Sequence, residues 1–427
     1  MSPTQALFIC FAPRYGKPSY FFPAWGRLFL LILLPFTATC SAGETTLSLD
    51  AAFPGGNIVL ERVEGDNVYL KPDLRDTSGW WFYWNFRVRD ISPGRTLTFD
   101  LGNPNPLGVR GPVVSTDNGR NWSWLGVEPC KGSTFTYTFP KCPAVHFAFT
   151  IPYVTSDLHV FLERWKHSPC LAVKRLCTST GKRDVELLCA GSSSDPPRYR
   201  VLITARHHAC ETMASFVLEG LLDRVLAEGD TGNWFREHVQ VVAIPFMDKD
   251  GVEKGDQGKN RRPRDHNRDY AGESIYPETA ALRQYVENLS HPPCVALDLH
   301  CPYIRGERNE LIYLVGSPNK AMWDNQQAFG ASVQKANDSP LPYRPTDNLA
   351  HGTSWNTDAN YKQGCNFAQW AETIPGMRMA ASMEIPYANV GGAPVTPESA
   401  RQFGGSIAEA IRSYLKDTCP VQAPLQP

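Results

Sequence analysis

Three near-continuous apolar runs separated by helical patterns constrain the fold of this chain most strongly. Such runs are typical of central strands that are covered on both faces by helices. Strands that alternate with helices predict an α/β domain with a mixed sheet. The apolar runs are 199–204, 240–245 and 294–299, further strands are expected at 310–315 and 379–385, and the helical patterns lie at 210–228, 274–289, 319–336 and 397–417.

The region before this domain has a different pattern. Short segments rich in β-branched and aromatic residues are broken by Gly, Pro, Asn and Asp at close spacing, which predicts an antiparallel β-sandwich. Its aromatic rings either fill the sandwich core or form a ligand-binding face. We divide the chain into a signal segment at 1–42, a sandwich domain at 43–165, an α/β domain at 166–420 and a flexible tail at 421–427. The clearest sandwich strands are predicted at 58–63, 67–70, 80–88 and 95–101.

Residues 1–42 have the pattern of a secretory signal peptide. Basic residues precede the apolar run 28–34, which is too short to cross a bilayer, and small residues follow up to Ala42. The expected product is secreted or periplasmic, without stable membrane insertion after processing. A buried strand or a retained membrane anchor is the alternative, and the long segment before the apolar run leaves the true start of the protein open.

Charge and cysteine content bear on partners and compartment. Lys and Arg total 42 against 43 Asp and Glu, a net charge of −1, which gives no global electrostatic case for nucleic acid as a partner. The 12 cysteines fit an exported chain, because spacings such as Cys130 to Cys142, or Cys170, Cys177 and Cys189, suggest disulfides in an oxidising compartment. Their connectivity stays open.

A His-x-x-Glu pair, His208 and Glu211, follows the first apolar run. Side chains three residues apart converge on one ion at a strand exit or in a first helical turn, and the helical pattern predicts Glu211 in the first turn of the helix. A catalytic zinc takes three such ligands and keeps one position open. His300 ends the third apolar run at the same sheet edge and is the expected third ligand. Chance spacing, or a core histidine satisfied by a backbone carbonyl, is the alternative.

A polar, cation-rich loop at 245–270 leaves this sheet edge as well. Arginine presents a rigid fork that clamps a carboxylate, and an adjacent Asn can add a hydrogen bond. The loop is therefore a candidate anion-binding element, with a solvated charged face as the alternative.

Together these motifs resemble the zinc carboxypeptidases of the M14 family over nearly the whole chain after the signal segment. The sandwich, with Trp81-Phe82-Tyr83, is similar to the domain that precedes the catalytic unit in the cytosolic-carboxypeptidase subgroup. One departure is Ala209-Cys210, where members often have Pro-Gly. The matching segments are 205–211 for the first ligand motif, 248–252 for the Asn-Pro-Asp-Gly turn, 265–268 for Asp-x-Asn-Arg, 298–300 for the third ligand, 361–364 for the segment with the capping tyrosine and 383–384 for the general base.

The resemblance implies a mixed-sheet catalytic domain that hydrolyses the C-terminal amide bond of peptides with a free terminal carboxylate. It implies one zinc ion and a metal-activated water. The implied roles are zinc ligation by His208, Glu211 and His300, general-base catalysis by Glu384, a hydrogen bond from Asp265 to a ligating imidazole, recognition of the terminal carboxylate by Asn267 and Arg268, and substrate capping by Tyr361.

The cation that stabilises the oxyanion is a second departure. Counted without gaps, the family's arginine falls on Gly258. Lys259 is the nearest cation, with Arg261 and Arg262 as rivals after a small loop shift. Two other functions remain open: a zinc deacylase or amidase acting on small N-acyl amino acids or cell-wall peptides, and a non-catalytic binding protein with a relict site. The preferred C-terminal residue and the oligomeric state are not readable.

Overall fold

Two five-stranded sheets pack face to face through an aromatic core in the computed structural model, which describes residues 47–418. Phe86 and Phe147 of one sheet contact Phe99 of the other, with ring centroids 5.5 and 5.2 Å apart. The first sheet has the order β1 (Ser48–Asp50), β4 (Asn85–Arg89), β10 (Ala144–Ala148), β6 (Val113–Ser115) and β7 (Ser123–Trp124). The second has the order β2 (Val59–Glu64), β3 (Asn67–Lys71), β5 (Thr96–Asp100), β9 (Thr134–Thr138) and β8 (Cys130–Lys131).

The paired strands of this sandwich are antiparallel except for β3 and β5, which run parallel. Of the predicted strand at 80–88, only the end pairs as β4. Residues 80–84 leave the sheet because Tyr83 uses its backbone N–H and C=O to bond the side chain of Gln257, in the following domain.

A seven-stranded mixed sheet forms the centre of the second domain. Its four central strands, β14, β13, β15 and β17, are parallel, and antiparallel strands lie outside them. This confirms the predicted α/β domain with a mixed sheet. The order is β11 (Leu171–Thr178), β12 (Asp184–Gly191), β14 (Val239–Ile244), β13 (Tyr199–Ala205), β15 (Val295–His300), β17 (Met379–Glu384) and β16 (Tyr313–Val315), and a small hairpin pairs β18 (Asn389–Val390) with β19 (Ala393–Pro394).

Helices cover both faces of this sheet, as the apolar strands require. Val201 and Ile203 belong to one core cluster with α2 and α9 as defined below, whereas Leu202 between them belongs to another with α5 and α8. None of the helices in residues 47–418 is long and apolar enough to span a membrane. The helices are α1 (Thr155–Trp165), α2 (Met213–Leu226), α3 (Asp230–His238), α4 (Lys249–Lys254), α5 (Pro277–Glu287), α6 (Lys320–Ala336), α7 (Asp358–Tyr361), α8 (Phe367–Glu372) and α9 (Pro397–Thr418).

The expected disulfides are not formed by the cysteines that suggested them. Cys130 and Cys142 are free thiols whose sulfur atoms contact nearby backbone carbonyls, and Cys170, Cys177 and Cys189 are free as well. On the β11–β12 hairpin, Cys177 pairs with Val185 and Cys189 pairs with Ala172. Cys177 and Cys189 therefore lie far apart along the hairpin. The prediction of export therefore depends on residues 1–42. These residues and the predicted tail at 421–427 lie outside the described part of the chain.

Candidate metal centre and active site

A tight turn joins the end of β13 to α2 and carries the His-x-x-Glu pair. Arg206 takes a left-handed conformation with φ of 60°, which ends the strand at Ala205. Its buried guanidinium folds back to donate hydrogen bonds to the carbonyl of Ala209 and the hydroxyl of Ser215. The helix begins at residue 213, so the prediction that Glu211 lies in the first helical turn was wrong. Arg206 closes the turn before the helix starts.

His208 and His300 converge on the Glu211 carboxylate. Nδ1 of His208 lies 2.8 Å from Oε1 of Glu211, and Nδ1 of His300 lies 2.7 Å from Oε2. The donor atoms of the three residues lie within 4.8 Å of one another, and all three side chains are buried. His300 reaches this point because β15 runs parallel to β13 and both strands end at the same edge of the sheet.

The other ring nitrogen of each histidine faces a second buried carboxylate. Nε2 of His300 lies 2.5 Å from Asp298, and Nε2 of His208 lies 3.8 Å from Oδ1 of Asp265. Neither Nε2 of His208 nor Oδ1 of Asp265 has a hydrogen-bond partner within the described residues. Two imidazoles that present one nitrogen to a common point and the other to a carboxylate fit the donor set of a zinc site.

His207 is also buried beside this centre, but both of its ring nitrogens are occupied. Nδ1 lies 2.7 Å from Asp298, and Nε2 lies 2.7 Å from the hydroxyl of Tyr270. Asp298 contacts both His207 and His300 and so connects the two rings. It also accepts a hydrogen bond from Thr204. His207, Asp298 and His300 form a second group whose donor atoms lie within 4.8 Å of one another. His207, however, directs its other nitrogen to a tyrosine hydroxyl and not to the Glu211 carboxylate, which suits it to hold Asp298 in place.

Glu384 stands beside His300 at the end of the neighbouring strand. The β15–β17 register pairs the two residues directly. One carboxylate oxygen of Glu384 is buried without a hydrogen-bond partner in the described structure. Burial, together with the charge of Glu211, raises the pKa of Glu384 to about 7, against the opposing charges of His300 and Lys259. A carboxyl group that titrates near neutral pH can both accept and donate a proton.

The three candidate cations of the 245–270 loop have different surroundings. Lys259 places Nζ 3.9 Å from Oε1 of Glu211. Arg261 is buried in ion pairs with Asp248, Asp256 and Asp76, and Arg262 is exposed. Lys259 is therefore the cation that the structure brings to the centre.

Comparison with known proteins agrees with this geometry. Residues 160–300 match the family model of the zinc carboxypeptidases, peptidase family M14. This segment of the chain is therefore similar to the zinc carboxypeptidase domain of that family. Cytosolic carboxypeptidase 6 of Caenorhabditis elegans is 23% identical over 319 residues, covering 67% of this chain and 68% of the worm protein. Human cytosolic carboxypeptidase 2 is 26% identical over 329 residues, covering 67% of this chain but 36% of the human protein.

Solved structures of metallo-carboxypeptidases share the fold of the α/β domain and of the sandwich that precedes it. One from Burkholderia cenocepacia superposes with a TM-score of 0.72 at 21% identity, covering 87% of this chain and all of that one. One from Pseudomonas aeruginosa, in complex with (2-guanidinoethylmercapto)succinic acid, has a TM-score of 0.70 at 19% identity, covering 87% of this chain and 99% of that one.

The candidate substrate-binding residues of the α/β domain lie only partly at the metal centre. The amide nitrogen of Asn267 lies 3.1 Å from Nε2 of His300. Arg268 donates to the backbone carbonyl of Asn267 and to the side chain of Asn360. Tyr361, next to Asn360, instead directs its hydroxyl to Asn356. Arg268 thus links the metal centre to the segment that carries the tyrosine, but the tyrosine points elsewhere.

Gly258, which an ungapped count aligns with the family's arginine, has no room for a side chain. Its φ is +76°, and a Cβ atom would lie 2.2 Å from the backbone nitrogen of Ala209. We expect Gly258→Arg to lower the free energy of unfolding by about 2 kcal/mol or more, because backbone strain of about 1–2 kcal/mol adds to this collision. Gly132→Arg is the matched control, since Gly132 has φ of +61° and open space around it. Equal shifts of the urea midpoint in both variants would show that the contact with Ala209 does not matter.

Several functional neighbours were not predicted from the sequence. The network around the candidate metal centre also contains His207, Tyr270, Trp81 and Gln257. The available signal was Asp298, a carboxylate in an otherwise apolar strand, since such a group requires buried partners. No local pattern identifies those partners, because they come from distant parts of the chain.

Proposed function

We propose that this chain is a zinc-dependent metallocarboxypeptidase that removes the C-terminal residue of peptides. The observation that carries the proposal is the convergence of His208 and His300 on Glu211, with Glu384 beside His300 on the adjacent strand. In support, relatives named carboxypeptidases are similar over about two thirds of the chain.

His208, Glu211 and His300 would hold one zinc ion, and Asp265 and Asp298 would accept hydrogen bonds from the outer imidazole nitrogens. A bound zinc ion lowers the pKa of water to about 7 and polarises a carbonyl group. The carboxylates fix the ring orientation and leave both Nδ1 atoms directed at the centre. The protein therefore supplies a preorganised set of donors rather than one that must assemble.

Glu384 would accept the proton of the attacking water and transfer it to the departing amine. A base with a pKa near 7 can perform both steps at neutral pH, and the raised pKa of Glu384 meets this requirement. Lys259 would stabilise the oxyanion that develops on the scissile carbonyl, since it is the cation closest to Glu211 in the loop.

Arg268, with Asn267, would bind the terminal carboxylate of the substrate. We expect Arg268→Met to reduce the preference for a peptide acid over the same peptide amide about 10–100-fold, because a hydrogen bond to a charged group contributes about 1.5–3 kcal/mol. The measurement is kcat/KM on the matched acid and amide. An unchanged ratio would remove Arg268 from carboxylate recognition.

The raised pKa of Glu384 also predicts how pH acts on the stability of the metal-free protein. The folded state keeps a proton on Glu384 up to about pH 7, whereas a freely exposed glutamate loses it near 4.5. This contribution to stability is fully present below about pH 4.5 and is lost as pH rises through about 7. We expect Glu384→Gln, which cannot ionise, to lose this part of the pH dependence. Thermal midpoints of wild type and variant that run parallel from pH 4.5 to 8 would contradict the raised pKa.

Removal and return of metal test the proposed function as a whole. A chelator should abolish release of the C-terminal residue, and one equivalent of zinc should restore it. Hydrolysis of N-acyl amino acids without trimming of peptides would favour a deacylase or amidase. Stoichiometric zinc binding without turnover of any amide would favour a relict binding site.

We also propose that the chain is exported, on the pattern of residues 28–42. The expected result is a mature protein outside the cytoplasm that begins near residue 43. Terminal sequencing of the protein recovered from each compartment measures this. A full-length N-terminus on cytoplasmic protein would contradict it.

A further inference from the structure

The loop that carries Lys259 contacts the N-terminal sandwich between residues 253 and 261. Backbone and side-chain groups of the sandwich bond loop residues on both sides of Lys259. The hydrogen bonds are Gly55 N to Glu253 O at 3.0 Å, Asn57 Nδ2 to Gly255 O at 2.7 Å and Ser78 N to Asn260 O at 3.0 Å, and Arg261 forms an ion pair with Asp76 at 2.6 Å. The loop is therefore fixed from outside the catalytic domain.

Gln257 joins the sandwich to the turn with the zinc-ligand candidates. Its side-chain amide accepts a hydrogen bond from the backbone N–H of Tyr83 and donates one to the backbone C=O of the same residue, each at 2.8 Å. Its own backbone carbonyl accepts from the N–H of Cys210 at 3.3 Å. The Gln257 side chain is fully buried, so replacing it with an apolar group would leave the backbone groups of Tyr83 unpaired.

Gly258 and Lys259 continue this connection to the catalytic centre. The backbone of Gly258 packs closely against that of Ala209, since a Cβ atom on Gly258 would lie 2.2 Å from the Ala209 nitrogen. This packing leaves little room for the loop to shift. Lys259 then extends to within 3.9 Å of Glu211. The position of the Lys259 backbone therefore depends on how Gln257 sits on the sandwich.

Trp81 of the sandwich flanks the Lys259 side chain itself. Nζ of Lys259 lies 5.7 Å from the centroid of the Trp81 ring, within the range of a cation–π contact. The indole is held by stacking on Phe82, at 4.9 Å, and by the edge of Tyr303, at 5.4 Å. A rigid aromatic face thus limits the directions that the ammonium group can take.

We propose that Gln257 and Trp81 are positioning residues for Lys259. The β-sandwich then contributes to the geometry of the catalytic centre through Trp81 and through its contacts with Gln257. Gln257 fixes the loop, and Trp81 directs the ammonium group toward the site of the developing oxyanion. The kinetic part of this inference rests on the proposed function of Lys259. The contacts that Gln257 and Trp81 make do not depend on that function.

Chemical labelling of Lys259 in the full-length protein, with and without zinc, tests the positioning directly. The Lys259 side chain is 25% exposed, so its release should raise the rate of acylation by a limiting amine reagent up to about fourfold. We expect this increase in Trp81→Leu and in Gln257→Leu, measured by peptide mass spectrometry relative to Lys320, which is 84% exposed. If Gln257→Leu does not fold, the comparison of wild type with Trp81→Leu is sufficient to test the proposal.

Arg110→Ala is the control for general loosening of the domain interface. Arg110 bonds Asn389 and the carbonyl of Gly392 across another part of that interface. Its loss should leave Lys259 labelling unchanged. Equal labelling of Lys259 in wild type and Trp81→Leu, or a similar rise in Arg110→Ala, would overturn the proposal.

A double-mutant cycle tests the catalytic consequence. Trp81→Leu should lower kcat about tenfold with little change in KM, because misplacing a catalytic group slows the chemical step. In a Lys259→Met background the same substitution should have no further effect on kcat. Additive losses would show that Trp81 acts independently of Lys259. Wild-type protein that lacks peptidase activity would refute the proposed function, while the labelling comparison would still decide the positioning.

Discussion

Replacing Glu384 by glutamine is expected to lower kcat by about 10²–10⁴-fold while leaving one zinc ion bound. Glutamine keeps the shape of the side chain but cannot accept the proton of the attacking water. Zinc should be retained because the donor atoms that converge belong to His208, Glu211 and His300. The measurements are kcat on a peptide acid and zinc content by elemental analysis.

Glu219→Gln is a suitable control for this variant. Glu219 is also buried, but it bonds Tyr153 and Arg401, between α2 and its neighbours. Its replacement should lower thermal stability without lowering the kcat of zinc-loaded molecules. Full activity in Glu384→Gln, or loss of zinc from it, would contradict the role assigned to Glu384.

Replacing Lys259 by methionine is expected to lower kcat about 100-fold with little change in KM. The removal of one group that stabilises an oxyanion has an effect of this size, because the interaction strengthens as charge develops in the transition state. Methionine retains the length and the apolar stem of lysine. The experiment is steady-state kinetics on a peptide acid, and Lys259→Arg should recover part of the loss.

Arg262→Met is the matched control, since Arg262 is an exposed cation three residues further along the same loop. It should leave kcat within about twofold of the wild type, as expected for a screened surface charge. Arg261→Met should instead destabilise the protein, because three carboxylates pair with the Arg261 guanidinium. Activity in Lys259→Met equal to that of Arg262→Met would remove Lys259 from the mechanism.

The architecture of the catalytic domain was largely predictable from apolar patterning. Buried parallel strands must be apolar throughout, so β13, β14 and β15 were evident. The edge hairpin of β11 and β12 was not identified, because β11 is largely exposed and lacks that pattern. Helix α3 was missed as well, since it has only nine residues and few apolar ones.

The strand predicted at 80–88 in the sandwich begins too early, since the observed strand β4 begins at Asn85. Its aromatic residues have high β-propensity, yet the pairing partner of Tyr83 is a side chain from a loop more than 170 residues away. Tertiary contacts of this kind override propensity and are not encoded in any short window.

Within the site, spacing alone placed His208 and Glu211 on one turn, and strand polarity placed His300 at the same edge. The surroundings of these residues could not be obtained in this way. The choice among Lys259, Arg261 and Arg262 depended on the acids that pair with Arg261. The contributions of Gln257 and Trp81 depended on how the sandwich packs against the loop.

The most direct test of the central claim is mass-spectrometric analysis of a peptide library after incubation with the zinc-loaded protein. Each peptide would be supplied as a free acid and as a C-terminal amide. We expect stepwise release of single residues from the C-terminus of the acids, much slower release from the amides, and release about 10²–10⁴-fold slower with Glu384→Gln. Trimming from the N-terminus, equal cleavage of acids and amides, or no cleavage by protein with stoichiometric zinc would contradict it.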